Sequence, residues 1–385
     1  MKTNRAYLLL IVFVSGMTSL AVELSASRLL EPYFGTSLII WANLIGLVLI
    51  YLTVGYYIGG RWADRRPYES VLYQITAWAG FTIGLVPFVA KPILRWSALG
   101  FAGYSLGILM GSLFGVILLF AFPVTLLGCV SPFAIRLAMR DVDSAGNIAG
   151  SIYALSTLGS IIGTFTPVLV LIPNIGTRNT FLAFSLVLLV LSLIGLARVA
   201  GRRALLYVLM LVILLALILF VPAGAIKASA GLIYETESAY NYIQVLQRGD
   251  DINLHLNEGM GLHSVYNPHQ LLTYGIWDFF LVVPYFNDPP YTADRVHSLC
   301  MVGSAAGTIP KQYTAVYGPI PIDGAEIDPR IVAVGRRFFA MNEPNFNVIT
   351  QDGRYFLSHS QKKYDMVATD AYRPPYIPFH LTTRE

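Results

Sequence analysis

Seven apolar stretches, each about as long as a membrane-spanning helix, dominate the first 222 residues of this 385-residue chain. A helix needs about 20 consecutive apolar residues to cross the hydrocarbon core of a bilayer. The stretches cover residues 6–26, 38–60, 71–90, 103–127, 147–172, 179–197 and 204–222. The sequence therefore predicts a transmembrane helical domain of about seven spans over residues 1–222, with the lipid bilayer as its partner.

The charged residues support this division of the chain. Only 12% of all residues are charged, against about 25% in soluble domains, and the sequence reads as an ordinary soluble protein from Tyr234 onward. The net charge is +4, and the basic residues of the apolar half lie in short loops, which is typical of topology signals and not of a nucleic-acid patch. Cys129 and Cys300 lie far apart and indicate neither a disulfide framework nor a metal site.

The distribution of positive charge predicts the orientation in the membrane. With a cytoplasmic N-terminus and seven spans, ten basic residues fall in cytoplasmic loops and four on the opposite side, namely Arg28, Lys91, Arg95 and Arg178. Seven spans place the soluble part outside the cytoplasm, whereas a separate crossing by Pro123–Ala138 would place it in the cytoplasm. We expect an integral protein of the bacterial inner (plasma) membrane with its N-terminus in the cytoplasm.

Glycines recur at intervals of four residues in the predicted spans, which allows helices to approach closely. The longest series is Gly103, Gly107, Gly111 and Gly115, and shorter pairs are Gly55/Gly59, Gly80/Gly84, Gly146/Gly150 and Gly159/Gly163. Two interpretations remain open at this stage. These glycine-rich faces pack helices within one bundle, or they form contacts in a homo-oligomer or a larger membrane complex.

The soluble part falls into two regions. Residues 234–295 form a small β domain with predicted strands at 242–247, 252–256 and 263–265, followed by a predicted helix at 271–283. Residues 296–385 alternate between strands, at 296–302, 320–327, 347–350 and 364–369, and helices. This alternation predicts a Rossmann-like, doubly wound α/β domain, and such sheets bind ligands at the carboxyl ends of their strands.

Side chains suited to a nucleotide-like ligand follow these strands. The small residues from Gly303 to Gly307 follow the first strand and allow close approach of the backbone to a ligand. Glu326 ends the second strand, where an acid can accept both hydroxyls of a ribose. Asp352, followed by Gly353, can accept a hydrogen bond from an exocyclic amine such as that of adenine. Asp370 ends the fourth strand, where a reacting group would lie.

Several motifs carry a resemblance to a known family. They are Gly146-Asn147-Ile148-Ala149-Gly150, Tyr153 to Gly163, Leu256-Asn257-Glu258-Gly259, His263 to Pro268, Glu326-Ile327-Asp328-Pro329, Asp352-Gly353-Arg354, Tyr364-Asp365 and Asp370 to Leu381. With these motifs, nearly the whole chain resembles the spermidine synthase (polyamine aminopropyltransferase) family. It is most similar to a branch that fuses such a domain to a multi-helix region resembling part of a major-facilitator transporter.

The resemblance implies a fold of the class I methyltransferase type and a transfer reaction without a metal. Family members move an aminopropyl group from decarboxylated S-adenosylmethionine to an amine, and S-adenosylmethionine itself is the alternative ligand. The resemblance assigns ribose binding to Glu326, adenine contact to Asp352 and Gly353, and deprotonation of the attacking amine to Asp370, with Gly303 and Gly307 in the ligand loop.

The sequence also departs from the family pattern. Ala305 or Ala306 stands where the family has a loop aspartate that holds the donor amine, and Arg373 stands at the position of a second aspartate. Asn241 takes the place of a substrate-binding glutamine, and Tyr274-Gly275-Ile276 lies near the place of a tyrosine-histidine-glutamate motif. The family pattern thus predicts that the nucleotide pocket is partly kept and the amine pocket largely is not.

Residues 296–385 supply about four strands of a fold that normally has seven, so we expect the α/β domain to be incomplete at Glu385. Three hypotheses follow for function. The first is a membrane-anchored aminopropyltransferase. The second is a catalytically inactive membrane subunit that uses the synthase fold as an interaction module. The third is transport of polyamines or other small cations, which the scarcity of intramembrane acids disfavours.

Overall fold

The computed structural model describes residues 4–101, 103, 106–139, 144–258, 261–372, 378–381 and 383. The chain divides into two compact units, Met1–Lys227 and Ala228–Glu385. The first unit is helical, and the second contains all the strands described. An N-terminal helical region followed by an α/β domain with a parallel sheet is therefore confirmed.

The first unit contains eight α-helices in the described residues. They are α1 (Arg5–Phe34), α2 (Leu38–Arg65), α3 (Glu69–Phe101), α4 (Gly107–Gly128), α5 (Val130–Ala138), α6 (Ala145–Thr166), α7 (Ile172–Ala200) and α8 (Leu205–Phe220). A π-helical turn, Pro167–Leu171, joins α6 to α7, and a 3-10 turn, Gly201–Ala204, joins α7 to α8.

Five described segments are long and apolar enough to cross a membrane: Arg5–Phe34, Leu38–Arg65, Glu69–Phe101, Gly107–Ala138 and Ala145–Phe220. The last spans 76 residues and contains α6, α7 and α8. The ambiguous region from Pro123 to Ala138 comprises the end of α4 and the nine-residue α5. At 1.5 Å per residue, α5 is about 14 Å long, which is too short to cross a hydrocarbon core of about 30 Å alone.

Most of the regularly spaced glycines contact other helices of the same unit. A Cβ atom at Gly163 on α6 would lie 2.0 Å from the carbonyl oxygen of Met17 on α1, and one at Gly159 would lie 2.1 Å from that of Phe13. Gly59 on α2 is similarly close to the backbone at Cys129. These glycines therefore allow backbone-to-backbone packing inside the bundle.

The glycine series from 103 to 115 is not one continuous helical ridge. Helix α4 begins at Gly107, so Gly103 precedes it, and a Cβ atom at Gly103 would have no neighbour within 4 Å. Gly111 and Gly115 contact Phe34 and Leu94 within the bundle. Gly146 and Gly150 on α6 likewise have open space where a Cβ would lie, so an intermolecular contact at that pair stays a prediction.

The second unit begins with a four-stranded antiparallel sheet. Its strands are β1 (Leu232–Glu237), β2 (Tyr242–Arg248), β3 (Asp251–Leu256) and β4 (Leu262–Tyr266), paired in that order. Ile243 and Val245 of β2 and Leu254 of β3 are buried against Ile331 and Val334, which belong to the helix Pro329–Phe338 of the α/β region. This packing explains why the short alternating segments form a sheet.

The prediction of a helix at 271–283 is wrong. The structure instead has two short 3-10 helices, Ile276–Leu281 and Val283–Phe286. The Asp278 carboxylate accepts hydrogen bonds from the backbone N–H groups of Thr273 and Tyr274 and from the Thr273 hydroxyl. Such side-chain-to-backbone bonds compete with a regular helix, and Gly275 further weakens it.

A four-stranded parallel sheet follows. Its strands are β5 (Leu299–Val302), β6 (Ile322–Glu326), β7 (Phe346–Thr350) and β8 (Met366–Thr369), with helices α9 (Thr308–Tyr317), α10 (Pro329–Phe338) and α11 (Gly353–His359) between them. The strand order is β7-β6-β5-β8. The chain runs from β5 to β6 on one side and returns to β8 on the other, which opens a crevice at the carboxyl ends of β5 and its neighbours.

Candidate active site

A cavity of about 290 Å³ lies at the carboxyl ends of β5, β6 and β8. Five of the six site residues predicted from the sequence line it: Gly303, Glu326, Asp352, Gly353 and Asp370. The volume is near the lower end of the roughly 300–1,000 Å³ typical of small-molecule sites. The strand-end side chains thus face one shared cleft and not separate surfaces.

Gly307, the sixth predicted residue, is not among the residues that line the cavity. It precedes α9 with φ +87°, and a Cβ atom there would lie 2.7 Å from Cγ of Met341. Glycine is required here for the left-handed turn and for packing against Met341. The structure therefore gives Gly307 a role in shaping the loop and no direct place in the cavity.

Glu326 ends β6 and is almost fully buried, at 7% exposure. One carboxylate oxygen accepts the backbone N–H of Ala305 at 3.0 Å, and the other accepts that of Asp328 at 3.0 Å. Burial raises the pKa of Glu326 to about 7, because removal from water disfavours the charged form more than the backbone N–H donors of Asp328, Ala305 and Ile327 favour it. A carboxylate has about four acceptor sites, so Glu326 can still accept a ligand hydroxyl.

The loop after β5 adopts a conformation that only small residues tolerate. Gly303 has φ +81°, and a Cβ atom there would lie 2.8 Å from the backbone of Ala371. Ala305 is itself in the left-handed region at φ +46°, and this conformation directs its N–H toward Glu326. The small residues therefore bring the β5 loop and the β8 loop into contact at the edge of the cavity.

Asp352 serves as the N-cap of α11, since its side chain accepts the backbone N–H of Tyr355 at 3.0 Å. Its second oxygen lies 3.8 Å from Nε2 of His380, and the side chain is 42% exposed. At Gly353 a Cβ atom would lie 2.4 Å from Cγ1 of Val302. Gly353 therefore lets α11 begin directly beside the end of β5 and holds Asp352 at the cavity.

Asp370 follows β8, and its backbone N–H donates to the carbonyl of Val302 at 2.8 Å. Burial raises the pKa of its carboxyl group to about 6, and a hydrogen bond from the Trp277 side chain acts in the opposite direction. Trp277 is buried at 5% exposure in the core beneath α9. At neutral pH Asp370 is mainly ionised, and it can accept a proton.

Several cavity residues received no site role in the sequence analysis. Tyr240, Asn257, Glu258, His263 and His380 all line the cavity. Burial, with a contribution from His255, lowers the pKa of His263 to about 4, so its imidazole is neutral at physiological pH. Asn257, Glu258, His263 and His380 belong to motifs that carry the resemblance, whereas Tyr240 belongs to none, and only the tertiary structure shows that all five converge.

Asn241 also lines the cavity, but its amide N–H is used elsewhere. It donates to Asp328 at 2.9 Å, and the Ser238 hydroxyl donates to the same carboxylate oxygen at 2.6 Å. Asp328 is fully buried and also caps α10 through the N–H of Arg330. This cluster fastens the antiparallel sheet to the α/β core, so Asn241 supports the wall of the cavity.

Of the residues that depart from the family pattern in sequence, the structure describes the two loop alanines. Ala305 lines the cavity, whereas Ala306 is buried and donates its N–H to the Ser264 hydroxyl at 3.0 Å. Of the two alanines, only Ala305 therefore faces the cavity. Arg373 lies outside the described residues. Among the residues that the structure describes, no group of three His, Cys, Asp or Glu side chains could hold a metal ion.

No protein-family model matches the chain. A probable polyamine aminopropyl transferase of Bifidobacterium longum is 33% identical over 176 residues, which is 44% of this chain and 38% of the relative. A polyamine aminopropyltransferase of Corynebacterium efficiens is 24% identical over 333 residues, 75% of this chain and 61% of the relative. One of Vibrio vulnificus is 33% identical over 92 residues, 23% of this chain and 30% of the relative.

Among solved structures, a probable spermidine synthase from Corynebacterium glutamicum aligns with a TM-score of 0.34 and 16% identity, over 41% of this chain and 57% of that one. The matched regions cover between 30% and 61% of the length of the three curated relatives. The chain is thus similar in sequence to curated polyamine aminopropyltransferases, over part of its own length and part of theirs.

Proposed function

We propose that this protein is a membrane-anchored transferase of the spermidine synthase type, which moves an aminopropyl group from decarboxylated S-adenosylmethionine to an amine. The observation that carries the proposal is the convergence of Glu326, Asp352 and Asp370 on one cavity at the carboxyl ends of parallel strands. The similarity to polyamine aminopropyltransferases supports the reaction class. The apolar helices of the first unit support the anchor.

The cavity residues fit an adenosyl group. Glu326 lines the cavity and can accept ribose hydroxyls there, and the Asp352 oxygen that does not cap α11 can accept an exocyclic amine. Apolar side chains of Val302, Ile327 and Ile331 provide surfaces for a flat base. The polar and apolar parts of the lining thus correspond to the two parts of a nucleoside.

Asp370 is the residue that would act on the reacting amine. An amine attacks carbon only through its lone pair, so it must first lose a proton, and the ionised Asp370 carboxylate accepts that proton. The amine nitrogen then bonds to the carbon next to the sulfonium, the carbon–sulfur bond breaks, and its electron pair stays on sulfur as a neutral thioether. A hydrogen bond from the Trp277 side chain favours the ionised form of this carboxylate.

A catalytically inactive subunit is the second candidate, and two observations favour it. Ala305 occupies the cavity position where the family has a loop aspartate. In addition, the shortness of α5 supports seven crossings, which would place the second unit on the side of the membrane opposite the N-terminus, whereas the adenosyl donor is made in the cytoplasm. Accessibility of cysteines introduced at exposed positions of the second unit to a membrane-impermeant reagent tests this placement.

Titration calorimetry of the purified full-length protein tests the proposal. We expect saturable one-to-one binding of decarboxylated S-adenosylmethionine or S-adenosylmethionine, and we expect Glu326→Ala to weaken it at least tenfold. The exposed Asp294→Asn serves as a matched control and should bind as the wild type does. If the folded wild-type protein binds neither ligand, the transferase proposal fails and the interaction-module alternative gains support.

A further inference from the structure

A second cavity, of about 210 Å³, lies within the helical unit. Residues of α1, α3 and α7 and of the segment Val221–Ile226, which follows α8, line it. Most of the lining is apolar and includes Leu29, Phe88, Leu94 and Phe181. It shares no residue with the cavity of the second unit, so its occupant would be a different ligand.

Two basic side chains, Lys91 and Arg178, line this apolar cavity. Within the part of the chain that the structure describes, neither forms a salt bridge, and the lining contains no Asp or Glu. A guanidinium nitrogen of Arg178 donates to the carbonyl of Val221 at 2.9 Å, and the guanidinium lies 5.1 Å from the centre of the Phe88 ring. These contacts hold the cation at the cavity but leave its charge uncompensated.

The segment Val221–Ile226 is fastened at both ends. Arg178 bonds the carbonyl of Val221, and the Tyr33 hydroxyl donates to the carbonyl of Ile226 at 2.6 Å. The segment therefore forms one wall of a defined recess and is not a loose connection. A recess with apolar walls and two cations is complementary to a molecule that is apolar at one end and anionic at the other.

The same two cations are exceptions to the charge distribution of the sequence. With seven spans and a cytoplasmic N-terminus, Lys91 and Arg178 belong to the four basic residues on the less positive side. Arg28, the third, forms an ion pair with Glu31 at 2.7 Å, whose carboxylate is 2% exposed, so its charge has a local partner. Arg95, the fourth, is exposed and does not line the cavity.

From these observations we infer that the recess binds the anionic headgroup of a membrane phospholipid. Lys91 and Arg178 would contact the phosphate, and the acyl chains would extend along the apolar lining and the adjoining exposed helix faces. Basic pockets between membrane helices are suited to anionic lipids, and a single cation near the headgroup contributes about a fivefold gain in affinity. The ligand is thus an anionic lipid and not a substrate of the second unit.

Native mass spectrometry of the full-length protein in detergent tests the inference. The protein is mixed with equal amounts of phosphatidylglycerol, which is anionic, and phosphatidylcholine, which is zwitterionic. We expect the wild type to retain one phosphatidylglycerol molecule preferentially and Lys91→Gln to reduce this retention about fivefold. Arg95→Gln removes a charge from the same helix outside the recess and should retain the lipid as the wild type does.

Two further measurements keep the test decisive. Arg178→Lys preserves the charge but not the bond geometry, so retention of the lipid by this variant, with an unchanged melting temperature, supports a role for charge. Equal retention of the two lipids, or an equal loss in Lys91→Gln and Arg95→Gln, would overturn the inference. Displacement of the lipid by millimolar inorganic phosphate would show a site for the free ion, which also overturns it.

Discussion

Glu326 provides the most specific prediction, because its carboxyl group titrates near neutrality in the free protein. Burial raises its pKa to about 7 from an ordinary value of 4.5. A ligand that donates two hydroxyl hydrogen bonds interacts with the ionised carboxylate, so binding favours proton release. A raised pKa therefore makes binding weaker at low pH, and affinity should rise with pH up to about 7 and then level off.

The size of the effect follows from the pKa. With a pKa of about 7, roughly one carboxyl group in eleven is ionised at pH 6 and roughly ten in eleven at pH 8. If only the ionised form binds, the dissociation constant falls about tenfold between these pH values, which corresponds to about 1.4 kcal/mol. His263 contributes little to this change, because its pKa of about 4 keeps it neutral throughout.

The assay is titration calorimetry with 5′-methylthioadenosine, which carries the ribose and adenine but no group that changes charge between pH 6 and 8. The pKa of Asp370 is about 6, so the experiment is best performed in the Asp370→Asn background. In that background Glu326→Gln should remove the pH dependence, because the amide does not titrate. Measurements in buffers of different ionisation enthalpy should also show release of about one proton per ligand at pH 6.

Two results would refute this reasoning. One is a dissociation constant that does not change between pH 6 and 8 in the Asp370→Asn background. The other is a tenfold change that persists in the double variant with Glu326→Gln, since the titrating group would then lie elsewhere. Either result would mean that the Glu326 carboxylate does not receive the ribose hydroxyls.

Four further predictions concern residues with defined contacts. Asp370→Asn should lower kcat by about 10²–10⁴-fold, since general-base catalysis contributes this much, with the affinity for methylthioadenosine unchanged in calorimetry. Trp277→Phe removes a donor that favours the ionised Asp370, so the pKa of Asp370 should rise and the acid limb of the kcat profile should move to higher pH. Gly303→Ala forces alanine to φ +81° and should cost about 1–3 kcal/mol in denaturant unfolding of the full chain. Gly163→Ala should lower the melting temperature in detergent because of the clash with α1, whereas Gly150→Ala, with open space at its Cβ, should not.

The general architecture was accessible from the sequence because its periodicities are strong. Apolar stretches of membrane-spanning length predicted the helical region, and alternation of short apolar runs with helical segments predicted the parallel sheet. The strand-end positions of Glu326 and Asp370 followed directly, since parallel strands share one carboxyl edge. The strand pattern alone therefore predicted that Glu326 and Asp370 lie at the same edge of the sheet, and both line the same cavity.

Other features depend on contacts that leave no pattern in the sequence. Asp278 replaces a helix at 271–283 with 3-10 turns by binding backbone N–H groups, and apolar spacing does not reveal this. Gly307 resembles a ligand-loop glycine in sequence, but its surroundings show that it packs against Met341. Trp277 reaches Asp370 from a distant segment, and only the folded chain brings an indole N–H to that carboxylate.

Product formation by the full-length protein tests the central claim most directly. The protein in lipid nanodiscs is incubated with decarboxylated S-adenosylmethionine and a mixture of di- and polyamines, and release of methylthioadenosine is followed by mass spectrometry. We predict release that depends on an added amine and that falls at least a hundredfold in Asp370→Asn. Release no greater than in protein-free samples, or equal release by wild type and Asp370→Asn, would contradict aminopropyl transfer at this cavity.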